Sequence, residues 1–189
     1  AKMLSMSGGN FSVPIVFRGP GGAAHGLGAT HSQALESIYS HFPGLKVVMP
    51  SNCKDAKGLL KSAIRDDNPI VFIESEVMYG DKGEIPDGEY TVPIGVGELK
   101  KEGKDVTIVS WSKMLAHVVL KAVDVLQEEL NISIEVIDPR TIRPMDYDLI
   151  VASVKKTNRL VIVEEGWPFA GVGAQISHEV ASKAFDELD

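Results

Sequence analysis

Cysteine is almost missing from this chain. Cys53 stands alone among 189 residues, which excludes an internal disulfide and any cysteine-based zinc cluster. That scarcity fits a reducing compartment. Long apolar runs are also absent, since none approaches the ~18–20 residues that a membrane span requires. The opening Ala1-Lys2-Met3-Leu4-Ser5-Met6-Ser7-Gly8-Gly9 lacks the apolar core of a signal peptide. Basic residues show no excess: 19 Lys and Arg face 26 Asp and Glu, for a net charge of -7. Such a balance disfavours non-specific contact with nucleic acid or anionic membranes, so neither is expected as a partner. No two histidines have the helical spacing of a zinc site.

What is present has an ordinary globular balance, 44% hydrophobic and 24% charged residues, enough for one large or two small domains. Short β-rich runs alternate with amphipathic helical patterns. Residues 13–17 read as a strand and residues 32–42 as a helix, with apolar residues at Ala34, Leu35, Ile38, Tyr39 and Phe42. Residues 45–49 make the next strand. Ser51 or Asn52 caps a helix carrying Leu59, Leu60, Ala63 and Ile64, and residues 70–73 form a third strand. Residues 78–97 are rich in turn formers and charge, which suits a linker. Strands at 106–109, 132–137 and 160–163 then alternate with helices at 114–130, 146–156 and 172–185. The expected fold is therefore α/β, two three-layer units with parallel sheets, in residues 1–77 and 98–189. Both ends look abrupt, and the sequence reads as a piece of a longer chain.

Chemistry-bearing residues collect after the strands, where α/β proteins keep their sites. Gly19-Pro20-Gly21-Gly22-Ala23-Ala24 formally fits a dinucleotide fingerprint after a strand. Pro20 and the following Gly26 and Gly28 fit it poorly, and the next strand ends at Met49-Pro50 with no acid for a ribose. His31 falls near the predicted helix start. A helix N-terminus disfavours the imidazolium and keeps a neutral base or donor available, but a histidine bonded to its own helix end would look the same. His25 lies within the loop, while His41, His117 and His178 read as surface or packing residues. The helix end at Ala63-Ile64-Arg65-Asp66-Asp67-Asn68-Pro69 offers free carbonyls and hard side-chain oxygens suited to a cation, or else is a solvated stop before proline. Arg140 and Arg143 sit between prolines, placed to bind an anion or pin an interface. Glu164-Glu165-Gly166-Trp167-Pro168 follows a strand, with Trp167 a candidate interface anchor.

Several of these segments carry a family resemblance. Ile15-Val16-Phe17-Arg18-Gly19-Pro20, Thr30-His31-Ser32-Gln33, Pro43-Gly44-Leu45-Lys46-Val47-Val48, Asp55-Ala56-Lys57-Gly58-Leu59-Leu60 and Ser62-Ala63-Ile64-Arg65-Asp66 resemble the 2-oxo acid dehydrogenase beta family, the pyruvate dehydrogenase branch above all. Arg140-Thr141-Ile142-Arg143-Pro144-Met145-Asp146 and Glu164-Glu165-Gly166-Trp167-Pro168 continue the match. The resemblance implies a partial thiamine-pyrimidine-binding domain followed by a transketolase-C-like domain. It also implies an α2β2 heterotetramer that decarboxylates pyruvate with thiamine diphosphate and Mg2+, the alpha subunit holding the diphosphate and the metal. The acyl group then passes to a lipoyl acyltransferase. His31 matches the family's active-site histidine. A structural potassium ion carries over to Ile15, Ala63, Ile64, Asp66 and Asn68, mostly through backbone carbonyls. The cofactor-activating glutamate is expected upstream of this sequence, so no cofactor ligand is assigned within it and the fragment alone is expected to be inactive. The implied compartment is bacterial cytoplasm, mitochondrial matrix or plastid stroma. A branched-chain 2-oxo acid or acetoin dehydrogenase beta subunit is the nearest alternative, and a non-catalytic assembly module the alternative of another class.

Overall fold

The computed structural model describes residues 1–23 and 26–189. After a short helix α1 (Met3–Met6) the chain runs β1 (Val16–Gly21), α2 (Glu36–His41), β2 (Lys46–Val48), α3 (Cys53–Ile64) and β3 (Ile70–Ser75). It continues with β4 (Glu98–Lys101), β5 (Val106–Ser110), a π-helical segment Met114–Val119 leading into α4 (Leu120–Leu130), then β6 (Ile134–Asp138) and β7 (Thr141–Arg143). α5 (Tyr147–Thr157), β8 (Leu160–Val163) and α6 (Val172–Ala184) complete it. Among the described residues no helix is long and apolar enough to cross a membrane.

Two four-stranded sheets result, ordered β1-β3-β2-β7 and β4-β6-β5-β8. β3 is parallel to both β1 and β2, and β5 is parallel to both β6 and β8. The α/β layout is as expected, but each sheet also holds one antiparallel strand that the sequence did not announce. β7 pairs with β2, Val48 opposite Thr141, and β4 pairs with β6, Leu99 opposite Ile137. β7 crosses from the second half of the chain into the first sheet. One core follows from this crossing: Val47, Met49, Val71 and Ile73 of the first sheet pack in the same cluster as Val109, Trp111 and Ile137, with Ile150 and Val154 of α5 and Ile176 and Val180 of α6.

Local chemistry accounts for the helices that anchor this core. Asn52 caps α3, its extended backbone letting the side-chain oxygen accept the Asp55 N–H at 2.8 Å. α3 buries Gly58, Leu59 and Ala63, and a Cβ at Gly58 would lie 2.5 Å from Val92. That contact ties residues 79–97 down: they form no helix or strand, yet Val92 is buried and Tyr90 and Ile94 pack against the same cluster. Asp146 caps α5 by accepting the Leu149 N–H at 3.1 Å.

Two expectations near the first strand need correcting. β1 starts at Val16 rather than residue 13 and runs through Gly19-Pro20-Gly21, so those glycines are strand, not loop. β1 is an edge strand of its sheet, where the missing Pro20 N–H costs no ladder bond. The helix expected from residue 32 begins only at Glu36. The Gly22 N–H donates to the Gln33 carbonyl at 2.8 Å, and this closure holds the preceding residues out of helical geometry.

Candidate functional site

The Gly22–Gln33 hydrogen bond closes the base of the loop that carries His31. Gly22 has φ +88°, and a Cβ there would fall 1.8 Å from Glu165 Oε1, so the position admits glycine alone. Glu165 leaves the end of β8. Its Oε2 accepts the Ala23 N–H at 3.2 Å and pairs with Lys113 Nζ at 2.6 Å. His31 is exposed in a turn, its N–H donating to the Gly28 carbonyl and its Nδ1 lying 2.7 Å from Thr30 Oγ1. It sits five residues ahead of α2, so the helix-terminus reasoning for it has no geometric basis. The dinucleotide reading fails too: Gly19 and Gly21 are strand, and among the described residues no helix follows until Glu36. His25 lies outside the described residues.

The sequence pointed to Glu164 and Glu165 after a strand, but it did not reveal Glu36 beneath this loop. Glu36 is only 2% exposed, and its Oε2 has no hydrogen-bond partner among the described residues. Burial pushes the Glu36 carboxyl up, and the charges of Glu165 and Glu164 add to that, against hydrogen bonds from its own backbone and from Trp111. Glu164 accepts the Gly173 N–H at the start of α6 at 2.9 Å, and burial raises its carboxyl too. The two acids flank Gly166, where a Cβ would lie 3.4 Å from Glu164 Oε2 and 3.6 Å from Glu36 Oε1. Glu36 had one sequence signal, a charge inside an apolar stripe, and the stripe hid it.

The five residues of the expected cation site gather at the opposite end of β1, roughly 20 Å away along the strand at ~3.3 Å per residue. Ile15 immediately precedes β1, Ala63 and Ile64 end α3, and Asp66 and Asn68 form the turn into β3. The Val13 N–H to Asp67 carbonyl bond and the Ile70 N–H to Ile15 carbonyl bond, both 2.9 Å, join these segments. Asp66 Oδ1 accepts both the backbone and side-chain N–H groups of Asn68 at 2.8 Å, and Oδ2 pairs with Lys46. Burial works to raise the Asp66 carboxyl, but the hydrogen bonds and charge of Lys46 and Asn68 outweigh it and hold it low. Among the described residues no three His, Cys, Asp or Glu side chains gather around a metal position; a monovalent ion held by carbonyls needs none.

The structure separates the two arginines. Arg140 is buried and works as an interface pin: its guanidinium meets Asp55 of α3 at 3.0 and 3.1 Å and Glu98 of β4 at 2.8 Å. Its backbone has φ 58°, in the left-handed region, and its N–H donates to Asp138 Oδ1 at 2.8 Å. Burial, with Asp55 nearby, drives the Asp138 carboxyl up to about 7 against the hydrogen bonds from Arg140 and Ser51. Arg143 is exposed and lines a cavity of about 500 Å³ with His41 and Tyr147. His117 pairs with Asp81 at 2.7 Å beside Cys53 in a cavity of about 380 Å³, and His178 is an exposed residue of α6.

The two α/β sheets have known counterparts. The family model described as "Transketolase, C-terminal domain" matches residues 95–189, and that for the "Transketolase, pyrimidine binding domain" matches residues 1–82. The chain belongs to the transketolase C-terminal domain family. In this family member the residues of β7 therefore come from the C-terminal match and pair with the sheet of the pyrimidine-domain match. Among its relatives, a "Pyruvate dehydrogenase E1 component subunit beta" of Rickettsia felis is 54% identical over 189 residues, 100% of this chain and 57% of that protein. The mitochondrial subunit beta-2 of Oryza sativa subsp. japonica is 51% identical, covering 100% of this chain and 51% of its own. The chain thus spans about half the length of the curated relatives it matches. A solved "Split gene transketolase, inactive beta4 tetramer" superposes with a TM-score of 0.77 at 25% identity, over 92% of this chain and 55% of that one.

Proposed function

We propose that this protein acts as a beta subunit of thiamine-diphosphate-dependent pyruvate dehydrogenase (acetyl-transferring). The observation that carries the reading is the end-to-end match to subunits of that name, at 54% and 51% identity with every residue of this chain covered. Bound thiamine diphosphate supplies the electron sink that lets a 2-oxo acid lose carbon dioxide. Residues 1–82, which match the pyrimidine binding domain, are the part of this chain that would face that cofactor, and no step is assigned to it here. What the chain contributes is the pinned loop: His31, exposed at the carboxyl ends of the strands, takes or gives a proton as the acyl group passes to a lipoyl arm. The partners proposed are the alpha subunit in an α2β2 assembly, with Mg2+ held by alpha, and the lipoyl acyltransferase. Trp167 and Phe169, 83% and 93% exposed, support a covered surface at the end of β8. The rice relative's name includes "mitochondrial". The compartment follows the source: bacterial cytoplasm, or mitochondrial matrix or plastid stroma.

Potassium is proposed at Ile15, Ala63, Ile64, Asp66 and Asn68. The Ile15 carbonyl accepts one N–H, from Ile70, and the Ala63 carbonyl accepts one from Asp66 at 3.3 Å. A carbonyl has two lone pairs, so each retains one for an ion. Lys46 and Asn68 already occupy the Asp66 carboxylate, which supports coordination through backbone oxygens instead. Placed so far from His31, the ion braces the sheet entry and takes no part in proton transfer.

The test is steady-state turnover of the assembled complex on pyruvate against 3-methyl-2-oxobutanoate. Pyruvate is expected to be preferred, and a clear preference for the branched acid would replace this reading with the branched-chain one. His31→Ala is expected to lower acyl transfer to lipoamide by ~10²–10⁴-fold, as for a positioned acid–base group. Unchanged transfer would make the chain an assembly module.

A further inference from the structure

We infer that Glu165, held by Lys113, is a positioning residue that fixes the entry of the His31 loop. The inference rests on the proposed role of His31 and names a control on it. Three separate segments meet at this carboxylate. Glu165 comes from the exit of β8, Lys113 from just before the π-helical segment that follows β5, and Gly22-Ala23 from the exit of β1. Oε2 takes the Ala23 N–H at 3.2 Å and the Lys113 ammonium at 2.6 Å, while Oε1 fills the space that any side chain at residue 22 would need. The loop is thus clamped at its base twice, by the Gly22–Gln33 backbone bond and by the carboxylate.

Glu36 and Glu164 lie close by, and burial pushes both toward their neutral forms. Lys113 pairs with Glu165, and the side chains of that pair are 15% and 13% exposed, enough burial to keep the interaction from being screened away. A charge-assisted bond to a backbone N–H is stronger and more directional than a neutral one. The C-terminal sheet therefore sets where the loop of the other sheet begins, and through it where His31 stands.

A double-mutant cycle in the assembled complex tests this, read as acyl transfer to a lipoyl domain with pyruvate. Glu165→Ala is expected to lower kcat by ~10²-fold, the scale of an ångström-level misplacement. Glu165→Gln, which keeps an acceptor for Ala23, is expected to recover part of that loss, and Lys113→Met to show the partial loss without touching the loop. In a His31→Ala background, Glu165→Ala is expected to change the rate by no more than about twofold, since it acts through the histidine. Multiplicative losses in that background would overturn the inference, as would a Glu165→Gln or Lys113→Met enzyme with full activity. A His31→Ala enzyme with full acyl transfer would instead sink the reading of His31 itself, whatever Glu165 does.

Discussion

Replacing Asp138 with asparagine should flatten the dependence of stability on pH between about pH 4 and pH 8. Asp138 is fully buried at the end of β6, next to Asp55 and Lys100, and its carboxyl is raised from the ordinary 3.8 to about 7. Below pH 3.8 the group is protonated in both folded and unfolded chains, so it contributes no pH dependence. Between 3.8 and 7 the folded chain holds the proton and the unfolded chain releases it, so stability falls as pH rises. Above about 7 both forms are ionised and the cost is complete. At 1.36 kcal/mol per pKa unit the cost reaches on the order of 4 kcal/mol as a ceiling, or ~8–16 °C in Tm for a chain of this size. The amide is neutral throughout and its oxygen can still accept the Arg140 N–H. Other titrating groups, including Glu36 and Asp66, are common to both proteins and cancel in the difference. Denaturant unfolding of both proteins from pH 4.5 to 8.5 is the assay. The expected result is a gap that widens with pH in favour of Asp138→Asn, and parallel curves would refute the reasoning.

Arg140→Ala leaves the Asp55 carboxylate, 0% exposed, without its cation, and should cost ~3–5 kcal/mol in urea unfolding; adding Asp55→Asn should recover part of it. Leu59→Ala opens a cavity under α3 against Phe72 and Val92 and should cost ~2–5 kcal/mol by the same measurement. Potassium should raise the thermal midpoint of the assembled protein more than sodium at equal ionic strength, because an ion that binds only the folded state stabilises it. Equal midpoints would count against Ile15, Ala63, Ile64, Asp66 and Asn68 as its ligands.

Elements with strong local signals were legible in advance. β8 begins and ends where the sequence places it, α5 is shifted by one residue, and α6 starts as expected and ends one residue earlier. Each of the two helices has a full apolar stripe, and α5 also has the Asp146 cap. The α3 cap was legible as Ser51 or Asn52, and the structure puts it at Asn52, whose short side chain reaches back to its own helix. β7 was not legible: three residues between prolines have no periodicity, and their partner lies more than ninety residues earlier in β2. The start of α2 was misplaced because an apolar stripe extends through Ala34 and Leu35, whereas the Gly22–Gln33 bond, formed between distant positions, sets where helix can begin.

The sequence by itself determined the alternation of elements, the absence of a disulfide, the family, and the nearness of His31 to a glycine-rich segment. These depend on residue type and spacing along the chain. Only the tertiary structure decided that Glu165 and Lys113 reach across to clamp the His31 loop and that Arg140 pins α3. It also buried Glu36, Glu164 and Asp138, and that burial raises each of their carboxyls. The reason is physical: burial and charge proximity depend on which segments fold together, and no single segment states its partner. An exposed Glu36 would be an ordinary surface acid. Beneath the loop, at 2% exposure, burial and the neighbouring Glu165 and Glu164 push its carboxyl up.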